Sequence, residues 1–460
     1  MVTHGSRMRG GRRRSQSFTR PAGAGSSPGG AALIYGYRRA VRSFTCGVCG
    51  QLVFFENSLC LSCRTPLGFS PSQRRIVPLT EDDAGDPVYA AGGAPEGRQG
   101  DSAGAYAASH PEPVERRCAN RVLAACNWLA APQAPGGLCL SCAMTRTRPA
   151  DSDETGMAQF AVTEAAKRRL VYQLLDLGLP VVRWADDPEH GLAFDLLSSA
   201  KGPVTTGHAD GIITIDLAEG DDPHREALRV QLDEPYRTML GHLRHETGHY
   251  YWGLLVRATS ALEPFRALFG DERVDYGEAL RQHYAQGVPA GWEDGFVSAY
   301  AAMHPWEDWA ETFAHYLHVR DTLQTAAEHG IVIKGPLAAA ADGEDPTDEA
   351  LAVVPRGDAR DIDELVRMWL PLTYALNAVN RSMGKDDLYP FVLSPTVIEK
   401  LGFVHDVVSP GRDADDPADG VPPPRAAPRI RPAPEAPRIR PAPEAPQIRP
   451  APEAPPVPPQ

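Results

Sequence analysis

The sequence predicts an α+β protein: a small cysteine-rich region, a larger domain of helices and strands, and an unpacked segment at each end. Three observations indicate this organisation. All eight cysteines lie between positions 46 and 142 in two groups, a metal-binding pattern of histidines follows near position 245, and Arg, Gly and Pro accumulate at the two ends. Because 42% of the 460 residues are hydrophobic, the chain can bury at least one sizeable core.

Charge and hydropathy argue against a nucleic-acid-binding protein and against a transmembrane protein. The formal net charge is −13, which disfavours a nucleic-acid-binding protein because polyanion binding needs a basic surface. No run of 18 apolar residues is present, so the sequence predicts no transmembrane helix. No signal peptide is recognisable either, and we therefore expect a cytoplasmic protein without membrane or nucleic-acid partners.

The two ends are predicted to be disordered and unnecessary for folding. Residues 1–42 contain nine Arg and no Asp or Glu, together with many Gly and Ser, which disfavours a packed core. Residues 406–460 are rich in Pro, and a nine-residue unit recurs there with Ile430, Ile439 and Ile448 in register. Pro at this density favours extended polyproline II, so this tail is either a spacer or a ligand for a Pro-recognising partner module.

The first cysteine group has the spacing of a zinc ribbon. Cys46 and Cys49 form one C-x-x-C pair, and Cys60 and Cys63 form a second about ten residues later. Each pair places two thiolates on one side of a tight turn, so the two pairs can complete a closed tetrahedral zinc site. Disulfides are the alternative, but C-x-x-C pairs suit a metal better.

The second cysteine group is less regular. Cys139 and Cys142 form a C-x-x-C pair, whereas Cys118 and Cys126 are separated by seven intervening residues. The four thiolates still suffice for a second structural zinc site, so residues 43–148 are predicted to be a zinc-ribbon region with two zinc ions. The acidic, Gly-rich stretch 81–115 between the groups is predicted to be a loop insertion.

A helix near position 245 carries a metal-binding signature. The sequence His245-Glu246-Thr-Gly-His249 is an H-E-x-x-H motif within an apolar-periodic stretch. Residues four apart share one helix face, so both histidines can bind one ion, and Glu246 then lies beside a zinc-activated water as general base. Residues 233–235 suit an acidic helix start, and the β-branched stretch 210–216 predicts a strand, where metallopeptidases pair with an extended substrate.

Catalytic zinc needs a third protein ligand. A third histidine six residues after His249 is absent, because position 255 is Leu. Downstream, Glu307, Glu311 and His315 share one face of a predicted amphipathic helix. We predict Glu311 as the ligand, because a carboxylate among apolar helix neighbours needs a partner. Glu307, one turn earlier, is the main alternative, and His242 is a weaker one.

Several motifs together resemble a bacterial family of zinc-binding metallopeptidases, in which a zinc-ribbon region precedes a gluzincin-like peptidase domain. They are Phe44-Thr-Cys-Gly-Val-Cys-Gly, Phe55-Glu-Asn, Arg117-Cys-Ala-Asn, Cys126-Asn-Trp-Leu, Arg244-His-Glu-Thr-Gly-His-Tyr-Tyr-Trp and Pro305-Trp-Glu-Asp-Trp-Ala-Glu-Thr-Phe-Ala-His-Tyr-Leu-His. The resemblance implies a zincin fold over residues 155–405. By the same analogy Glu311 is the third ligand.

The resemblance also bears on the residues around the ligands. Many gluzincins have an acidic residue four positions after the ligand Glu, where this chain has His315. Asp308 or Glu307 can take that orienting role instead. Oxyanion-stabilising candidates are the nearby Tyr and His side chains, which are Tyr276, His283, Tyr284, His304 and Tyr316.

Two functions follow from these predictions. The first is a metallopeptidase with one catalytic and two structural zinc ions, which hydrolyses a peptide or protein substrate with Glu246 as general base. The alternative is an adaptor in which the zinc modules bind a partner and the peptidase-like domain is a non-catalytic scaffold. The complete set of ligands and base favours the enzyme. Helical stretches such as 362–380 should complete the C-terminal part of the peptidase domain.

Overall fold

The computed structural model describes residues 44–82, 86–90, 114–220, 238–333, 359 and 361–409. Helices and strands both contribute to it, as the sequence predicts. The helices are Glu154–Asp176 (α1), Met239–Leu255 (α2), Leu262–Phe269 (α3), Tyr276–Gln286 (α4), Pro305–Glu328 (α5), Ile362–Ser382 (α6) and Pro395–Val408 (α7). Among the described residues, no helix has the length and apolar character that crossing a membrane requires.

Short antiparallel strands build the cysteine-rich region. They are Phe44–Thr45 (β1), Leu52–Val53 (β2), Leu67–Ser70 (β3), Arg75–Pro78 (β4), Thr80–Glu81 (β5), Pro87–Ala90 (β6), Val114–Arg117 (β7) and Leu129–Ala130 (β8). Strand β1 pairs with β2, β3 pairs with β4, and the remaining four form a sheet in the order β5-β6-β7-β8. These small sheets hold the cysteine-bearing turns in place.

A second four-stranded sheet lies in the larger domain. Its strands are Thr145–Thr147 (β9), Ala193–Leu197 (β10), Gly207–Ala209 (β11) and Ile212–Asp216 (β12), in the order β11-β12-β10-β9. Strand β10 is parallel to both β9 and β12, whereas β11 is antiparallel to β12 and forms one edge. Alternate residues Ile213 and Ile215 of β12 are fully buried, which explains its β-branched sequence.

The cysteine-rich region and the larger domain share one hydrophobic core. The rings of Phe55 and Phe69 lie 5.3 and 5.5 Å from that of Tyr172 in α1. Strand β9, which follows the last cysteine, pairs with β10 of the larger domain. The two regions are therefore joined by packing and by backbone hydrogen bonds.

The structure contains a predicted strand and a predicted helix, and it differs from the prediction at a loop and at the start of the tail. The strand at 210–216 is β12, and the helix at 362–380 is α6, which extends to Ser382. The loop predicted for 81–115 is wrong at both ends, because strands β6 and β7 pair there in antiparallel register. Helix α7 also continues to Val408, past the predicted start of the tail at 406.

Other predictions lie outside the described residues. They concern the Arg-rich arm 1–42, the Pro-rich repeats after residue 409 and the acidic helix start at 233–235. The helix itself begins at Met239, and the Thr238 hydroxyl caps it by accepting a hydrogen bond from the Gly241 backbone.

Candidate metal centres

Helices α2 and α5 cross closely and bring their polar residues together. Gly248 of α2 allows the approach: a Cβ at this position would lie 3.1 Å from the Ala310 Cα and 3.2 Å from the Ala310 carbonyl oxygen. The indole of Trp309 donates a 2.8 Å hydrogen bond to the Gly248 carbonyl. The glycine of the H-E-x-x-H motif is thus a packing residue that determines where α5 meets the two histidines.

Three side chains at this crossing form a candidate metal site: His245, His249 and Glu307, whose ligand atoms all lie within 4.8 Å of one another. The Glu307 Oε2 atom is 3.0 Å from His245 Nε2 and 3.4 Å from His249 Nε2. Tetrahedral zinc with bonds of about 2.0–2.1 Å separates its ligand atoms by about 3.3–3.4 Å, so the spacing fits. Glu307 is only 3% exposed, so its Oε2 faces the two imidazole nitrogens in a setting shielded from water.

The Glu311 carboxylate contacts the opposite ring nitrogen of His245. Its Oε1 is 2.7 Å from His245 Nδ1, the ring nitrogen opposite the Nε2 that faces Glu307. The hydroxyl of Ser298 donates a 2.6 Å hydrogen bond to the other carboxylate oxygen. The sequence predicts Glu311 as the third ligand. In the structure Glu307 faces Nε2 of both histidines, whereas Glu311 faces Nδ1 of His245.

Charges at the site keep its carboxylates ionised. Burial alone raises the pKa of Glu307 and Glu311, but the neighbouring histidines outweigh it, so that of Glu307 lies well below its ordinary value and that of Glu311 falls to about 2. Burial lowers the pKa of His245, yet the same two carboxylates raise it well above its ordinary value. A metal that binds His245 competes with a proton for the imidazole, so metal binding should depend on pH.

Glu246 is buried on the same helix face as His242. Its Oε1 lies 3.3 Å from His242 Nε2, and His242 Nδ1 contacts the Glu219 carboxylate. Burial lowers the pKa of His242, but the two carboxylates outweigh it and raise the pKa to about 9. Burial raises the pKa of Glu246, but three histidines outweigh that effect and leave it below its ordinary value. His242, an alternative ligand from the sequence, thus faces the predicted base.

The other residues predicted beside the metal contact different partners. Asp308 forms a buried ion pair of 2.6 Å with Lys400. His315 lies 2.7 Å from the Tyr389 hydroxyl, and burial lowers its pKa to about 4 despite Glu311. The Tyr316 hydroxyl lies 3.1 Å from the His405 ring. The contacts of Asp308 and Tyr316 with Lys400 and His405 belong to the packing of α5 against α7.

Among the remaining oxyanion candidates, Tyr276 lies nearest to the ligands. Its hydroxyl donates a 2.9 Å hydrogen bond to Glu307 Oε1. His304 caps α5 by accepting from the Trp306 backbone, and Tyr284 is 66% exposed. The ring of His283 lies 6.1 Å from that of Tyr300, which is itself 6.0 Å from His245.

Sequence reasoning missed four residues of this site: Glu219, Tyr300, Ser298 and Gly248 in its packing role. Glu219 lies 23 residues before His242 in the sequence. Tyr300 and Ser298 lie just before α5, where Tyr300 begins the short 3₁₀ helix Tyr300–Met303. Only Gly248, inside the motif, carried a signal, since a glycine in a helix interior indicates a close contact.

Both cysteine quartets come together in the structure. Cys46, Cys49, Cys60 and Cys63 form one cluster, and Cys118, Cys126, Cys139 and Cys142 form the other. Neighbouring sulfurs are 3.6 Å apart in the first and 3.7 Å apart in the second. Tetrahedral zinc with 2.3 Å bonds separates its sulfurs by about 3.75 Å, so the spacing fits a shared metal, whereas a disulfide is near 2.05 Å.

Comparison with known proteins finds two zinc-binding families along the chain. Residues 156–407 match a family described as "Putative zinc-binding metallo-peptidase", and residues 43–153 match a zinc-ribbon domain. Relatives in Mycobacterium bovis and in two strains of Mycobacterium tuberculosis, named only as uncharacterized proteins, are each 48% identical over 369 residues. The alignment covers 80% of this chain and 95% of the relative. No solved structure matches the chain.

Proposed function

The chain belongs to the family of zinc-binding metallo-peptidases, and from that premise we propose that it hydrolyses peptide bonds in a zincin-like domain of the gluzincin type. One observation carries the proposal: two histidines of one helix and a carboxylate of a second helix converge within 4.8 Å, with Glu246 beside them. Three protein ligands leave the fourth zinc position open for chemistry. We assign the ligands as His245, His249 and Glu307, with Glu311 orienting His245.

Each residue of the site has a distinct task. When bound, zinc supplies Lewis-acid activation of the attacking water and of the substrate carbonyl. Glu246, kept ionised by its histidine neighbours, accepts the proton of that water and passes it to the leaving amine nitrogen. Tyr276 donates its hydroxyl hydrogen to Glu307 Oε1 and so holds that carboxylate in place. Because a phenol has a single O–H donor, we assign Tyr276 a positioning role.

An extended peptide is the substrate that this architecture favours. Within the described residues, β11 pairs with β12 on one side only, so it presents an edge of backbone donors and acceptors. A peptide can add to such an edge as a further strand. Helix α2 packs against β11, which supports placement of the scissile bond near Glu246. The sulfur spacings, which fit metal rather than disulfides, support two structural zinc ions and the predicted cytoplasmic location.

Glu246→Gln tests the proposal directly. The variant keeps the side-chain volume but removes the base, so it should retain the parent's zinc content and lose cleavage of an internally quenched peptide library by at least about 10²-fold. Glu278→Gln, which changes an exposed glutamate of α4, is the matched control and should cleave like the parent. Equal cleavage by Glu246→Gln and the parent would refute the assigned mechanism.

The adaptor alternative has one structural feature in its favour. Apolar side chains at the two turns of the first cysteine quartet are exposed, with Val48 at 51% and Leu61 at 78%. Such turns could contact a partner. A parent protein that holds all its zinc but cleaves nothing in the library would favour this function.

A further inference from the structure

We propose that Glu219 and His242 are positioning residues that hold the carboxylate of Glu246 toward the metal site. The inference rests on the proposed function, because it assigns roles to the surroundings of the proposed base. It concerns side chains outside the H-E-x-x-H motif and outside the three metal ligands. Its basis is a continuous line of polar contacts that runs from the edge of the mixed sheet to Glu246.

His242 links the two carboxylates. It lies one turn before Glu246 on α2, and residues four apart share a helix face. Its Nε2 is 3.3 Å from Glu246 Oε1, and its Nδ1 contacts Glu219 Oε2. With a carboxylate at each nitrogen, both nitrogens act as donors, which leaves no lone pair for a metal. The side chain is 17% exposed, so the contacts are largely shielded from water.

Glu219 is itself anchored to the sheet. It follows β12 in the short 3₁₀ helix Leu217–Gly220. The Thr206 hydroxyl donates a 2.9 Å hydrogen bond to Glu219 Oε1 and accepts one of 3.1 Å from the Asp216 backbone. Thr206 directly precedes edge strand β11, so the carboxylate is tied to the strand that the proposed substrate joins.

The consequence for catalysis is orientation. With Oε1 of Glu246 turned to His242, Oε2 is the oxygen that takes the proton of the attacking water. Without His242, the carboxylate can rotate about its terminal side-chain bond, and a smaller fraction of molecules is ready to react. Outer-shell partners of this kind typically contribute about 10–100-fold to activity.

Kinetics of His242→Gln, Glu219→Gln and the double variant test the proposal. The probe is one internally quenched peptide cleaved by the parent, with zinc content measured in parallel. We expect His242→Gln to lower kcat about 10–100-fold with KM changed less than about twofold and zinc retained. The double variant should match His242→Gln alone, because the two residues act as one unit. His318→Gln, a histidine of α5 packed against Tyr389 away from Glu246, is the matched control and should keep the parent's kcat.

A second measurement is independent of activity. Crystal structures of the zinc-loaded parent and His242→Gln should show Glu246 ordered toward the metal in the parent and rotated or multiply placed in the variant. An unchanged kcat or an unmoved Glu246 in His242→Gln would overturn the proposal, as would loss of the catalytic zinc. If the effects of the two substitutions on kcat multiply in the double variant, Glu219 does not act through His242 and is not a positioning residue. A parent without peptidase activity would refute the proposed function, and the crystallographic comparison would then decide the positioning role by itself.

Discussion

The third ligand is best tested by truncating two glutamates one turn apart on α5. Glu307 faces the Nε2 atoms of both histidines, whereas Glu311 faces only Nδ1 of His245. We expect the parent to hold three zinc ions, Glu307→Ala to hold two after dialysis, and Glu311→Ala to retain three with the catalytic ion bound more weakly. The order of the two affinities is the decisive result.

The magnitudes follow from the positions of the two carboxylates. A structural zinc contributes about 10–16 kcal/mol through four ligands, so one ligand accounts for about 2.5–4 kcal/mol, or about 10²–10³-fold in affinity. Loss of a residue that orients a ligand typically costs only about 10–100-fold. Glu307→Ala should therefore weaken zinc about tenfold more than Glu311→Ala does.

Zinc titration of metal-depleted protein in competition with a chromophoric chelator measures these affinities. Glu278→Ala serves as control, because Glu278 is an exposed residue of α4 paired with Arg281. Cobalt substitution adds a second readout, since the loss of a ligand changes the absorption spectrum of the ion more than the loss of an orienting group does. A weaker site in Glu311→Ala than in Glu307→Ala would refute our assignment and restore Glu311 as the ligand.

Three further predictions concern the scaffold. Gly248→Ala should destabilise the fold by about 1–3 kcal/mol and weaken zinc binding at the catalytic site, because the new Cβ would meet the Ala310 backbone. Gly253→Ala on the same helix has no atom within 4 Å of its new Cβ and should stabilise the fold by up to about 1 kcal/mol. Urea unfolding measures both changes. Lys400→Met leaves Asp308 buried without its cation and should cost about 3–5 kcal/mol in thermal unfolding, most of which the double variant with Asp308→Leu recovers. Burial lowers the pKa of His315 to about 4, whereas the unfolded chain has a pKa near 6.5 at this residue. Between these two pH values unfolding takes up a proton, so the free energy of unfolding should decrease as the pH falls, and it should decrease less steeply in His315→Gln. An identical slope in the two proteins would contradict the lowered pKa.

Local spacing determined much of what the sequence could predict. The C-x-x-C pairs and the H-E-x-x-H motif need only a turn or a helix to bring their side chains together, and these elements form from local preferences. Both cysteine clusters and the pairing of His245 with His249 accordingly appear in the structure. The helices α5 and α6 were also predictable, because their apolar periodicity is long.

Periodicity could not choose between Glu307 and Glu311. Four helical residues advance about 6 Å along the axis and return to nearly the same face, so the two carboxylates are equivalent in the sequence pattern. The choice depends on how far along α5 the helix α2 crosses. The close contact of Gly248 with Ala310 sets that crossing, and it places Glu307 beside the Nε2 atoms of both histidines.

The sequence by itself determined the two cysteine clusters, the pairing of the two histidines on one helix, and the division into a zinc-ribbon region and a metallo-peptidase family region. Tertiary structure decided which carboxylate faces Nε2 of both histidines, and it brought Glu219 to His242 from a segment that precedes the helix. It also gave Asp308, His315 and Tyr316 partners on other elements. The physical reason is that spacing along one helix specifies a face, whereas a contact between elements depends on the packing of both.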